Sequence, residues 1–181
     1  MAKGNYLKRD ETILDILYNY TDDKSTEGEQ EMKLRKARIA DVEEMMILIN
    51  SNAEQGLMLG RSRNMLYENI REFLLAEVEG QLVGVASLHI LWSDLAEIRA
   101  LAVSNNYKRQ GIGTRIVKGL EEEARELGCT KLFALTYQPE FFKHCGYEEV
   151  SKDEMPQKVW TECINCIKFP NCDEIAVSRI L

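Results

Sequence analysis

The sequence has no run of 18 consecutive apolar residues, and its polar amino terminus, MAKGNYLKRDE, has no apolar core of the kind found in secretory signals. These absences predict a cytoplasmic protein without a membrane span. A long basic segment is also absent, and the formal net charge of the 181 residues is -7 at pH 7. Because nucleic-acid phosphates require a concentrated positive face, this charge argues against a nucleic acid as partner. Any anionic ligand must therefore be held locally.

The sequence has only five cysteines, an odd number. This count fits a reducing compartment better than a disulfide framework. Cys163, Cys166 and Cys172 form a C-x2-C-x5-C array that suggests metal binding by thiolates. Zinc normally takes four ligands, and the fourth is sought among three side chains: His144, Cys145 and Asp173. Free thiols, or a bridge between Cys163 and Cys166, are the alternative interpretations.

Length and composition favour one compact domain with an appendage. Residues 1–31 are predicted to form an amphipathic helix, around Ile13 to Tyr18, followed by a polar linker. The helix either docks on its own domain or a neighbouring subunit, or it binds a partner. Residues 32–181 are expected to form the domain itself, with a cysteine-containing carboxyl-terminal segment at 155–181.

Hydrophobic periodicity predicts an α+β fold around a mixed sheet, because strands and helices do not alternate strictly. The expected elements are a strand at 33–38, a helix capped by Asp41, a helix at 62–72, strands at 73–80, 81–91 and 95–103, a long helix after Gly113, a strand at 130–137, a short helix at 138–146 and a strand at 147–151. The long helix presents one apolar stripe: Ile112, Ile116, Val117, Leu120, Ala124 and Leu127.

The long helix follows a loop with two glycines, Gly111 and Gly113. A helix start has about four N–H groups without internal partners and carries roughly half a positive charge. Glycines there remove side chains that would keep an anion away, so the loop predicts a phosphate site, although an ordinary tight turn has the same composition. It is not a Walker loop, and Ile116 stands where the dinucleotide fingerprint has its third glycine.

The run LAEIRALAVSNNYKRQGIG resembles the acetyl-CoA signature of the GCN5-related N-acetyltransferases (GNAT), with Lys108 at the position usually taken by Arg or Gln. The resemblance covers about residues 33–150 and implies the GNAT fold, acetyl-CoA as co-substrate and no metal in catalysis. It also implies that the pyrophosphate is held by successive backbone amides: Arg109, Gln110, Gly111, Ile112, Gly113 and Thr114. The pantetheine arm would pair with the strand edge at Leu101, Ala102 and Val103.

The same resemblance assigns the chemistry. Glu97 stands where many family members have their general base, and the N–H of Val103 is the expected oxyanion donor. Strand alternation places Glu97, Arg99 and Leu101 on one face and Ile98, Ala100 and Ala102 on the other. The family's usual general-acid tyrosine is replaced by Phe142, which leaves water or Tyr137 to protonate the leaving thiolate.

Two further stretches, HILWSDLAEIRALAV and LTYQPEFFKHCGY, resemble the short bacterial N-acetylglutamate synthases, and GLMLGRS resembles their glutamate-binding segment. Arginine pairs bidentately with carboxylate, so Arg61 and Arg99 are the expected acceptor-binding residues, with Arg63 a weaker third and His89 a possible lining residue. The resemblance implies small-molecule substrates, L-glutamate foremost, and the first step of arginine biosynthesis. Another small amine, a peptide amino terminus, or a non-catalytic coenzyme A module are the alternatives, and a homodimer is plausible.

Overall fold

The computed structural model describes residues 31–152, 163, 166, 168 and 171–181. Within these ranges the chain forms seven strands: β1 Met32–Lys36, β2 Phe73–Val78, β3 Gln81–Ile90, β4 Leu95–Val103, β5 Lys131–Thr136, β6 Glu148–Glu149 and β7 Ile175–Ile180. The α-helices in the same ranges are α1 Val42–Glu54, α2 Arg63–Glu68, α3 Ile112–Glu126 and α4 Pro139–His144. Short 3-10 turns lie at Ile39–Asp41, Ile70–Glu72 and Asn105–Tyr107. The predicted α+β class is confirmed.

The strands form one mixed sheet in the order β1-β2-β3-β4-β5-β7-β6. All neighbours are antiparallel except β4 and β5, which run parallel and pair only where Leu95–Glu97 meets Lys131–Phe133. Among the described residues, β4 pairs with β3 alone beyond Glu97, as far as Val103. Because β5 continues to Thr136 beside β7 while β4 continues beside β3, the two parallel strands separate after Glu97 and leave a cleft between their carboxyl ends.

A β-bulge interrupts β4 where the predicted alternation was expected to continue. Ser87 pairs with Arg99 and Val85 with Ala102, so two residues of β4 oppose one of β3, and Ala100 takes a left-handed φ of 52°. Consequently Ile98 packs in the core beside α3, whereas Ala102 packs in the core beside α1. The expectation that Leu101 shares the face of Glu97 is wrong, because Leu101 packs with Ile98 instead.

Each face of the sheet carries its own apolar core. On one face α3 is buried along the predicted stripe: Ile112, Ile116, Val117, Leu120 and Ala124. On the other face α1 packs against β2, β3 and β4 through Val42, Met45 and Ile49. Leu127, expected in the stripe, lies just after the helix and is 59% exposed.

Several predicted elements differ in the structure. The strand β7 was not predicted, because its three central residues, Ala176 to Ser178, are all buried and show no alternation. The second helix ends at Glu68, and Phe73 belongs to β2. Asp41 occupies the N-cap of α1, but its carboxylate accepts from the backbone N–H of Arg38 at 2.6 Å instead of capping α1.

The remaining strands and helices lie where they were expected, within a few residues at their ends. Residues 1–30, which include the predicted amino-terminal helix, lie outside the described residues, so the division into 1–31 and 32–181 stays a prediction. In the described parts of the chain, every helix is too short or too polar to cross a membrane.

The stripe on α3 gives a direct test of the core. Leu120 is fully buried and Leu127 is exposed, although both fit the apolar period. We expect Leu120→Ala to lower the free energy of unfolding by about 2–5 kcal/mol, since the cavity cannot refill. The matched change Leu127→Ala is expected to stay within about 0.5 kcal/mol. Urea unfolding measures both, and equal losses would contradict the observed end of the stripe.

Candidate active site

A buried ion pair lies where β4 leaves β5. Glu97 is the last residue of β4 that pairs with β5, and Arg99 follows on the same face before the bulge. Arg99 Nε donates a hydrogen bond to Glu97 Oε2, and their side chains are only 11% and 10% exposed. The structure thus places a carboxylate beside a guanidinium at the mouth of the cleft.

A second carboxylate, Glu174, lies at the same edge and was missed by the sequence reasoning. Glu174 immediately precedes β7, whose first residue pairs with Thr136 at the carboxyl end of β5. Burial raises the pKa of Glu174, the negative charge of Glu97 raises it further, and the positive charge of Arg61 lowers it. Glu97 and Arg61 therefore each lie close enough to Glu174 to act on its carboxyl group. Only a correct prediction of β7 would have pointed to Glu174.

The other two acceptor candidates lie in different surroundings. Arg63 makes a surface ion pair with Glu43 of α1, with Nε at 2.6 Å and Nη2 at 2.9 Å from the carboxylate oxygens. His89 pairs in register with Glu97 across β3 and β4, so the two side chains share a face. The Nδ1 atom of His89 lies 2.8 Å from Glu72 Oε1. Arg63 is thus held against α1, whereas His89 lies beside the buried pair.

The glycines of the loop before α3 have two different roles. Gly111 takes a left-handed φ of 78° as the N-cap of α3, and Arg109 is also left-handed at 65°. A Cβ on Gly113 would lie 3.0 and 3.1 Å from the ring of Phe141. The idea that Gly113 clears space for an anion is therefore wrong, because its side-chain position faces Phe141. The backbone N–H groups of Arg109 to Thr114 lie in the loop before α3 and in the first turn of that helix.

Neighbouring side chains brace this loop from within. Gln110 Nε2 donates to the carbonyl of Asn106 at 3.1 Å, and Ile112 is buried against β3 at Gly84. The hydroxyl of Thr114 faces Cys145, whose Sγ lies 3.9 Å away. The predicted pyrophosphate site is thus a fixed turn with one open side.

At the end of β4, the backbone of Val103 faces the cleft. Ser104 donates its N–H to Val83 of β3 at 2.8 Å. In an antiparallel pair, successive residues direct their N–H and C=O groups to opposite sides, so those of Val103 point away from β3. That side is where β5 has separated from β4. Asn52 of α1 donates to the carbonyl of Val103 at 3.5 Å.

The two residues considered for proton donation differ in position. Phe142 is buried and packs edge-to-face against Phe141 and Tyr147, with ring centroids 5.2 and 5.3 Å away. Tyr137 directly follows β5, and its hydroxyl donates to Asp173 Oδ1 at 2.8 Å. Burial and this hydrogen bond raise the pKa of Tyr137, which keeps its proton on the phenol.

The cysteines of the carboxyl-terminal segment are free thiols, including Cys163, Cys166 and Cys172, so the bridge considered between Cys163 and Cys166 is absent. Burial raises the pKa of Cys163, and the neighbouring thiols and Glu97 raise it further. Among the residues that the structure describes, no group of three or more His, Cys, Asp or Glu side chains is arranged to hold a metal ion.

The Gly113 contact with Phe141 can be tested by rescue. We expect Gly113→Ala to lower the free energy of unfolding by about 1–3 kcal/mol through overpacking, and Phe141→Leu in the same chain to recover part of the loss. Gly111→Ala is expected to cost about 1–2 kcal/mol through its left-handed φ, with no recovery from Phe141→Leu. Denaturant unfolding of the five proteins, wild type included, would contradict this assignment if Phe141→Leu rescued both glycine variants or neither.

Comparison with known proteins agrees with this geometry. The family model described as Acetyltransferase (GNAT) family matches residues 39–147, more than half of the chain. An uncharacterised N-acetyltransferase of Chlorobaculum tepidum is 39% identical over 148 residues, which cover 82% of this chain and 96% of that protein. An amino-acid acetyltransferase of Mycobacterium tuberculosis is 37% identical, covering 71% of this chain and 75% of that enzyme.

Solved structures show the same relationship. N-acetylglutamate synthase from Neisseria gonorrhoeae, complexed with coenzyme A and N-acetyl-glutamate, superposes with a TM-score of 0.77 at 32% identity. That match covers 84% of this chain but only 36% of the Neisseria chain. A Mycobacterium tuberculosis protein in complex with coenzyme A gives a TM-score of 0.72 at 32% identity, covering 82% of this chain and 98% of that one.

These matches confirm that the resemblance to the GNAT family, first seen in the loop and the strand before it, extends to the fold of the chain. The chain belongs to the acetyltransferase (GNAT) family and is an N-acetyltransferase.

Proposed function

We propose that the protein transfers an acetyl group from acetyl-CoA to the α-amine of an amino acid, with L-glutamate as the acceptor and the first step of arginine biosynthesis as the role. The observation that carries the acceptor is the buried Arg99–Glu97 pair where β4 leaves β5, together with Arg61, whose positive charge acts on Glu174 at the same edge of the sheet. Relatives named amino-acid acetyltransferase, and a neighbour solved with N-acetyl-glutamate, support the proposal.

The donor binds across the end of β4 and the start of α3. The amides from Arg109 to Thr114 hold the pyrophosphate, where the helix start supplies N–H groups and partial positive charge. The pantetheine arm pairs with β4 on the side that β5 has left, next to Val103. The thioester then lies between the Val103 N–H and the face that carries Glu97.

The reaction begins with a neutral amine. The amine nitrogen attacks the thioester carbon as Glu97 accepts the amine proton through a water molecule. Arg99, hydrogen-bonded to Glu97, orients that carboxylate. The negative charge that develops on the thioester oxygen is stabilised by the N–H of Val103. The carbon–sulfur bond then breaks, and coenzyme A leaves as a thiolate that takes a proton from water or Tyr137.

An anionic acceptor requires positive partners, and Arg61 with Arg99 supplies them. Glu174 would repel such an acceptor if it were ionised. Burial raises the pKa of Glu174, which weakens this repulsion relative to that of an ordinary exposed glutamate.

The acceptor is tested by following thiol release from acetyl-CoA with each amino acid and with small amines. We expect L-glutamate to give the highest kcat/KM. Arg61→Ala is expected to raise the glutamate KM by about 10- to 100-fold, the effect of losing charged hydrogen bonds, without changing the KM for acetyl-CoA.

The matched control is Arg63→Ala, which removes the same charge two residues away from an exposed pair with Glu43 and should leave the glutamate KM unchanged. Turnover of a cationic amine or a peptide amino terminus in preference to glutamate would retain the N-acetyltransferase and refute the acceptor.

The base is tested by Glu97→Gln. We expect kcat to fall by about 10²–10⁴-fold, while the affinity for acetyl-CoA, measured by calorimetry, stays the same. The lost activity should return in part as the pH rises, because more of the amine is then already neutral. An unchanged kcat would exclude Glu97 as the base, and a wild-type protein that binds acetyl-CoA but releases no thiol with any amine would indicate a non-catalytic module.

A further inference from the structure

The backbone of Arg61 is held by one side chain. Asn50 Nδ2 donates to the carbonyl of Arg61 at 3.1 Å, and the N–H of Arg61 donates to Asn50 Oδ1 at 2.9 Å. The side-chain amide of Asn50 thus satisfies both the N–H and the C=O of the Arg61 backbone, as the backbone of a neighbouring strand would. Arg61 lies in the irregular segment between α1 and α2, which has no such strand.

The chemistry of this contact requires asparagine. A carboxamide offers both a donor and an acceptor in one plane, whereas aspartate at neutral pH offers acceptors alone and would repel the Arg61 carbonyl. Asn50 belongs to α1, which is anchored by the buried residues Met45 and Ile49 against the core that also contains Ala102 of β4. The contact therefore ties Arg61 to the sheet that carries Glu97.

Gly60 lies close to the same side-chain amide of Asn50. Its φ lies outside the left-handed region, so its backbone conformation does not require glycine. A Cβ at this position would lie 3.0 Å from Asn50 Oδ1 and 3.7 Å from the Cβ of Ala53. A side chain at position 60 would therefore require the Asn50 amide to shift by a few tenths of an ångström. Gly60 and Arg61, adjacent in the sequence, thus both lie against the side-chain amide of Asn50.

We propose that Asn50 is a positioning residue for acceptor binding: it fixes the Arg61 backbone, and so directs the guanidinium toward the acceptor carboxylate. This inference rests on the proposed role of Arg61 at the acceptor carboxylate. Asn50 contacts neither substrate and acts through Arg61 alone. Its effect must then appear in the acceptor KM and vanish when Arg61 is absent.

The experiment is a double-mutant cycle in the full chain. Asn50→Ala and Gly60→Ala are each expected to raise the acceptor KM by about 5- to 50-fold, the effect of two lost hydrogen bonds, with the kcat at saturation and the acetyl-CoA KM unchanged. In the Arg61→Ala background, Asn50→Ala should change the acceptor KM by less than about 2-fold. Asn50→Asp, which keeps the shape and loses the donor, should resemble Asn50→Ala.

The control is Asn69→Ala, because Asn69 Nδ2 donates to the carbonyl of Met65 at 2.8 Å at the far end of α2 and should leave the acceptor KM unchanged. If Arg61→Ala raises the acceptor KM but the Asn50 and Gly60 variants, with thermal unfolding near wild type, do not, this inference is overturned and the proposed function stands. Equal effects of Asn50→Ala with and without Arg61 also overturn it. If Arg61→Ala itself has no effect on the acceptor KM, the role of Arg61 fails first.

Discussion

The separation of two parallel strands is the constraint on which the rest of the molecule depends. Hydrogen bonds between β4 and β5 extend over Leu95–Glu97 and Lys131–Phe133 and then stop. The backbone groups of β4 beyond that point need other partners, because buried N–H and C=O groups left unpaired are costly. A cofactor arm that offers amides of its own would meet that need, which is why we propose the open edge of β4 as the binding site for the arm of acetyl-CoA.

The positions of the charged side chains depend on the same separation of β4 and β5. The buried Glu97–Arg99 pair lies where the two strands separate, and β7 brings Glu174 to the same edge because it begins opposite the end of β5. In the proposed function, backbone amides of the loop before α3 hold the pyrophosphate and guanidinium groups hold the acceptor carboxylate. Neither arrangement requires a basic surface, so the proposal is compatible with a net charge of -7.

The sequence predicted local features well and long-range ones poorly. The hairpin of β2 and β3, the strand β4 and the amphipathic α3 follow from period and turn chemistry. The glycine loop before α3 remains the predicted donor site. The bulge at Ala100 could not be read from LAEIRALAV, because alanine carries no signal for a left-handed φ. Asn50 and Glu174 were missed because each acts on residues that only the folded chain brings near.

The position of β7 has a consequence for how the chain folds during synthesis. β5 and β6 are close in sequence, yet β6 pairs with β7, and β7 lies between them. The ribosome must therefore release residues 175–180 before β5 acquires its second neighbour. Until then β5 presents an apolar strand edge of the kind that recruits other chains. Insertion of β7 between β5 and β6 thus completes this side of the sheet only after residues 175–180 have emerged.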